Sequence, residues 1–252
     1  MIAAWLAFPE RELWRLMFAS LRGGAALMLL PGIGTALLPL RVRTGLAMVL
    51  GMLAVATVGV AVPDAAQLPV AVAGEVLIGL AIGTMLQAVF AVGNVAGELL
   101  SQSMGLGFAT LLGPGGVTSP VLTSFLSLLL WLVFVGVDGH ARLLSTIVDS
   151  YRTLPPGAMV EPMRVVRFGA YAFGTGLLLA LPVAAVLLLV NLWLAVLARS
   201  APSLNLFSVG FATLMVAGLV ALPLALPAML GTMAAAIADG QVELARLVLD
   251  GG

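Results

Sequence analysis

Very few residues in this chain could carry chemistry, and they are thinly spread. Glu75 and Glu98 each follow a glycine, Gly74 and Gly97, inside a long apolar run that also holds Gln87, Asn94 and Gln102. A carboxylate in low dielectric is costly unless it is paired or reaches water. The two glutamates are therefore candidates for ion or proton handling, and equally for interhelical hydrogen bonds or helix caps. His140 is the single histidine. A Ser-His-Asp triad or a multi-histidine metal site would have to be built on it alone, and no His-Glu-x-x-His spacing is present, so it reads as a loop residue. Cysteine is absent, which excludes thiolate catalysis, disulfides and cysteine-bound metals together. An intramembrane hydrolase is a distant reading, since the lone His140 has no nucleophile partner at recognisable spacing, and no cofactor or metal is expected.

The elements that hold the glutamates are set by an unusual composition. With 62% hydrophobic residues, 9% charged residues and a mean hydropathy of +1.19, the chain has too few charges to cover a soluble globule of 252 residues. Most of its surface must face lipid or other apolar protein. Net charge is zero, which gives no reason to expect nucleic acid as a partner. All eleven basic residues are arginine.

Apolar runs divide the chain into helices. The first, about Leu13 to Leu30, is preceded by Glu10, Arg11, Glu12 and Arg15 and interrupted by Arg22, a pattern unlike a cleavable signal peptide. A second run, Thr44 to Val62, is about one bilayer crossing long and ends at Pro63-Asp64. The third starts near Pro69 and continues to about Gln102, roughly 50 Å at 1.5 Å per residue, which overshoots a hydrocarbon core of about 30 Å. After a loop come Val121 to Val137, a more polar piece from Arg142 to Arg152, a helix from Arg164 to Arg199 with Pro182 inside it, and a run from Leu204 to Leu226. Pro223 and Pro227 are expected to break that last run, leaving a short amphipathic helix from Gln241 to Leu249. No linker appears, so the fold class is all-α, a single unit of membrane-associated hairpins.

Arginines in short loops normally mark the cytoplasmic side. Arg41 and Arg43 place the first connection there, yet strict alternation then puts Arg142, Arg152, Arg164 and Arg167 on the opposite side. The rule fails: either one hydrophobic run does not span, or the helices are not simple bilayer crossings, and the excess length of the third helix favours the second.

On a wheel of about 100° per residue, Glu75, Gly83, Gly93 and Gly97 fall within about 40° of Gly79, a face that Phe90 interrupts, while the polar residues Ser101, Asn94, Gln87, Glu98 and Gln102 fall between about 40° and 140°. A glycine stripe thus lies beside a polar stripe. Small-xxx-small spacing allows close helix approach and neighbouring polar groups can bond across it, either within one chain or with other subunits. Beyond this helix, Met104 to Pro120 mixes Gly105, Gly107, Gly113, Gly115 and Gly116 with Leu106, Phe108, Leu111 and Leu112. A surface loop would be polar. Non-helical backbone at membrane depth is tolerated where it is packed in protein or lines a water-filled cavity, so this segment reads as a constriction or plug in a pathway, or as a re-entrant packing loop without backbone pairing of its own.

The run Ala96-Gly97-Glu98, then Met104-Gly105-Leu106-Gly107-Phe108-Ala109-Thr110 and Pro114-Gly115, resembles the FliR family of the flagellar type III export gate and its injectisome counterparts. Gly136 to His140, Leu154-Pro155, Leu181-Pro182 to Asn191, and Arg199 to Phe211 extend the resemblance in order over most of the chain, and the loop wording favours the flagellum. The resemblance implies a FliP-like half, about 1–160, joined to a FliQ-like half, about 161–252. It implies assembly with FliP-like and FliQ-like subunits, FlhB and FlhA in the bacterial inner membrane, at the flagellar basal body. Unfolded export substrates would pass through the centre. The family's plug loop falls on residues 104–120, so Met104, Leu106, Phe108, Leu111, Leu112 and Pro114 are the expected pore plug. Glu75, Gly79, Gly83, Gln87, Gly93, Asn94, Gly97 and Glu98 are the expected subunit-interface or polar stripe. The rival reading is a secondary transporter with broken helices, in which Glu75, Glu98 and Asn94 bind a coupling ion.

Overall fold

The computed structural model describes residues 10–30, 39–106, 110–112, 118–200 and 206–249. In chain order these form α1 (Glu10–Leu29), α2 (Leu40–Val58), α3 (Leu68–Ser103), β1 (Thr110–Leu112), β2 (Thr118–Pro120), α4 (Val121–Gly136), α5 (Gly139–Thr153), α6 (Pro162–Ser200) and α7 (Leu206–Leu249). Among the described residues, four helices are long and apolar enough to cross a membrane: α2, α3, α6 and most of α7. The all-α membrane fold is therefore present, with one short hairpin added.

Three expectations need correction. Gly59 takes a left-handed φ of 73° and its N–H bonds the Val55 carbonyl, so α2 stops at Val58, short of Val62. Glycine reaches that conformation at no steric cost, which is why it ends the helix before Pro63 can. The run broken at Pro223 and Pro227 is instead one helix of 44 residues, with both prolines inside it and no separate C-terminal helix. In an apolar environment an interrupted helix still satisfies more backbone than any exposed alternative, so the chain absorbs the two lost hydrogen bonds. The same holds for Pro182 within the 39 residues of α6. Finally, His140 sits in the first turn of α5, exposed, and not in a loop. Asp138, with φ 55°, makes the turn that precedes it.

The chain divides into two compact units. The first comprises residues 1–87, 138–169 and 239–252; the second comprises 88–137 and 170–238. Within the first, α1 and α2 pack antiparallel: Gly51 lies against the backbone of Ser20, Gly23 against Leu50, and Gly24 against Ala47. Phe18, Ala19, Ala54, Val60, Ala71 and Tyr151 form its buried cluster. Within the second, α3 and α4 run antiparallel as a zipper, with Gly97 on Thr123, Gly93 on Leu126 and Phe90 stacked among Trp131 and Phe134. Charge is divided very unequally. Of the eleven arginines and eleven acidic residues, only Arg199 and Glu98 belong to the second unit. All the arginines that broke the alternation rule, together with Arg41 and Arg43, therefore belong to one unit, and the pattern of charge follows the units rather than successive hairpins.

Candidate functional site: a buried ion pair, a polar groove and an anchored loop

Helix α3 organises all three features, and its burial follows the wheel. Glu75, Gly83, Phe90, Gly93 and Gly97 are buried and Gln87, Asn94, Glu98 and Gln102 are exposed, whereas Ser101, at the edge of the polar stripe, is buried with the glycines. The glycine stripe is taken up by helices of the same chain. A Cβ on Gly79 would run into the Arg22 carbonyl and Ala25 of α1, and one on Gly83 into the Ala26 carbonyl and Leu29. Gly97 meets backbone atoms of Thr123 and Leu122 in α4. These close approaches require glycine, because every added carbon would meet backbone that cannot turn aside.

Glu75 belongs to the buried face and pairs with Arg22, a residue that the sequence presents only as an interruption of an apolar run. Both side chains are fully buried. Arg22 Nε donates to Glu75 Oε2 and Nη2 to Oε1, each at 2.8 Å, a bidentate fork. Arg22 Nη1 donates to Ser150 Oγ at 2.8 Å and Nη2 also to the Leu154 carbonyl at 2.9 Å. The guanidinium lies 3.9 Å from the centroid of the Tyr151 ring, and Tyr151 donates its hydroxyl proton to the Ala19 carbonyl at 2.6 Å. A rigid planar fork suits this geometry, since it serves a carboxylate, a hydroxyl and a carbonyl while its face stacks on an aromatic ring. The site ties α1, α3 and α5 together. Glu75 is thereby fully engaged within the first unit.

The exposed face of α3 carries a different arrangement. Asn94, Glu98 and Gln102 recur every four residues and line an open groove of about 530 Å³ whose far side is Phe173 and Leu177 of α6. Gln102 Nε2 donates to Glu98 Oε1 at 3.1 Å. Ser127 Oγ lies 2.6 Å from Asn94 Oδ1 and 2.7 Å from the Thr123 carbonyl, sharing its proton between them. Gln87 is exposed on the same helix in the first unit. Among the described residues there is no group of three acidic or histidine side chains able to hold a metal ion.

The third feature is the root of the glycine-rich loop. Met104 is buried rather than free, packed against Gly218 of α7. Gly105 turns the chain with φ 74° against the ring of Phe211. Leu106 is half-buried. The segment then pairs with itself, Thr110 with Pro120, Leu111 with Ser119 and Leu112 with Thr118, in an antiparallel hairpin. That pairing corrects the expectation of an unpaired loop, and it satisfies part of a backbone that an apolar environment would otherwise leave bare. Phe108 and Pro114 lie outside the described residues.

Comparison with known proteins places these features. The family described as bacterial export proteins, family 1, matches residues 13–240. The flagellar biosynthetic protein FliR of Escherichia coli K12 is 34% identical over 229 residues, covering 85% of this chain and 84% of that protein. The FliR of Pectobacterium carotovorum is 41% identical over 160 residues, which span 61% of this chain and 60% of its own length. The FliR of Aquifex aeolicus is 29% identical over 231 residues, covering 89% and 90%. A match that begins within α1 and ends within α7 takes in the buried ion pair, the polar groove and the loop alike, and the chain belongs to the bacterial export proteins, family 1, the family of the flagellar biosynthetic protein FliR.

Proposed function

We propose that this chain is a subunit of the inner-membrane flagellar type III protein export gate, forming part of the channel for unfolded export substrates, with the loop from Met104 to Pro120 as the plug that closes the pore. Family membership makes it a membrane-bound component of the flagellar export apparatus, and the family consists of structural components of that apparatus rather than enzymes. FliP-like and FliQ-like subunits, FlhB and FlhA are the partners in this reading, the basal body its location, and a FliP-like half followed by a FliQ-like half its architecture.

The observation that carries the plug is the way the loop is mounted. Its root is held by buried Met104 under Gly218 and by the left-handed Gly105, whereas the apolar Leu111 and Leu112 belong to a strand of only three residues. A firm root beneath a hairpin of only three residues a strand suits an element that must block a passage and yet give way to a passing chain. A two-stranded hairpin of this size is marginal by itself.

Deleting Leu106 to Leu112 is expected to raise ion conductance across membranes holding the assembled complex while leaving its yield intact. Whole-cell ion leakage together with co-purification of the complex measures both. Wild-type conductance in the deletion would remove the plug from the proposal.

A further inference from the structure

From the polar groove of α3 we infer that Glu98 receives an arginine or lysine from a transmembrane helix of a partner subunit. The inference rests on the export-gate reading and names one contact within it. Glu98 is the single acidic residue of the second unit and is exposed, in a unit that also exposes large apolar side chains such as Leu128, Leu132, Phe173, Leu188 and Leu192. Its only hydrogen bond among the described residues is the neutral one from Gln102, which leaves Oε2 open and the charge uncompensated. The one arginine of that unit is Arg199, on α6 but 22 residues beyond Leu177, about 33 Å along the helix at 1.5 Å per residue. No cation of the unit therefore reaches the carboxylate.

An exposed carboxylate in so apolar a unit is stable only against water or against a complementary charge. The form of the groove favours the second. Asn94, Glu98 and Gln102 make a straight seam two turns long, walled by Phe173 and Leu177, which is the footprint of one more helix lying along α3. Apolar walls suit the stem of a long basic side chain, and the carboxylate at the centre suits its head. The Asn94 amide nitrogen and the Gln102 amide oxygen, the halves not engaged by Ser127 and Glu98, remain to bond the same helix on either side of the ion pair.

The test uses the assembled complex in cells. Benzoylphenylalanine at position 173 should crosslink to a partner helix, and Glu98→Gln, which keeps the shape and can still bond Gln102, should lower that crosslink about tenfold, or about 1.4 kcal/mol. Thermal unfolding of the isolated Glu98→Gln chain should match wild type, which separates lost contact from lost folding. Neutralising the basic residue mapped in the crosslinked helix should give the same loss, and Glu98→Arg combined with that residue changed to Glu should restore the crosslink. An undiminished crosslink in Glu98→Gln, or a crosslinked helix without arginine or lysine, would overturn the inference. None of these bears on the conductance of the loop deletion, so the two readings fail separately.

Discussion

Arg22→Met will destabilise the protein by about 3–5 kcal/mol, because it strands a fully buried carboxylate without its counter-charge. Glu75 loses two charge-assisted hydrogen bonds, and the Leu154 carbonyl loses its donor at the end of α5. Ser150 loses less, since its hydroxyl already donates to the Ile147 carbonyl. Removing both charges together is a different matter. Desolvating two ions costs several kcal/mol each, so an apolar pair of similar volume often matches or exceeds a buried salt bridge. Arg22→Met with Glu75→Leu is therefore expected to recover most of the loss, short by about 1 kcal/mol for the unpaired Leu154 carbonyl. Arg22→Lys should fall between, because one ammonium cannot reproduce the bidentate fork and also reach Ser150 and Leu154. Denaturation of the detergent-solubilised protein, with the amount accumulated in membranes as a second readout, ranks the three. A double variant no better than Arg22→Met would show that the site acts through something other than its charge balance.

The ion pair also marks where the sequence stops being informative. The two faces of α3 are legible from periodicity alone, since a helix of this length samples every direction many times over and its small and polar residues separate by angle. Burial on α3 obeys that separation from Glu75 to Gln102, Ser101 excepted. What periodicity cannot supply is the neighbour. Arg22 and Glu75 are 53 residues apart, and Ser150 and Leu154 lie still farther along the chain. Their meeting depends on how α1, α3 and α5 pack, and the sequence signals it only through an arginine in one apolar run and a glutamate in another. The prolines of α7 mislead for the opposite reason. Pro223 and Pro227 carry a strong local rule, drawn from helices in water, that an apolar environment overrides. At the loop, glycines and leucines announce an anomaly but not its hairpin, whose register is fixed by pairing across the gap between β1 and β2. The family resemblance, built on short ordered fragments, reaches further than any of these physical signals toward function.

Four glycines share one stripe of α3, but they should not respond alike to the same added methyl group. At Gly97 a Cβ would overlap the Cα and N of Thr123, with the Leu122 carbonyl carbon at 3.0 Å, all backbone of α4. At Gly79 it would overlap the Arg22 carbonyl oxygen and approach the Ala25 Cβ at 2.7 Å, which presses on the helix that holds the ion pair. At Gly83 the nearest atoms are the Ala26 oxygen at 2.7 Å and the Leu29 Cβ at 2.9 Å. At Gly93 nothing lies nearer than 3.4 Å, an ordinary contact distance. Backbone cannot rotate away as a side chain can, so Gly97→Ala and Gly79→Ala must push neighbouring helices apart and are expected to cost about 3 kcal/mol or more, Gly83→Ala about 2, and Gly93→Ala close to nothing. Gly174 and Gly231, with no atom within 4 Å, provide the control: alanine there should be neutral or stabilise slightly through helix propensity. Because Gly97 and Gly79 are filled by helices of the same chain, the loss must appear in the isolated protein, before any partner is added. If Gly97→Ala left the isolated chain unaltered and reduced only its recovery with other export components, the stripe would be an interface between subunits, and the packing of α3 on α4 would be wrong at its closest point.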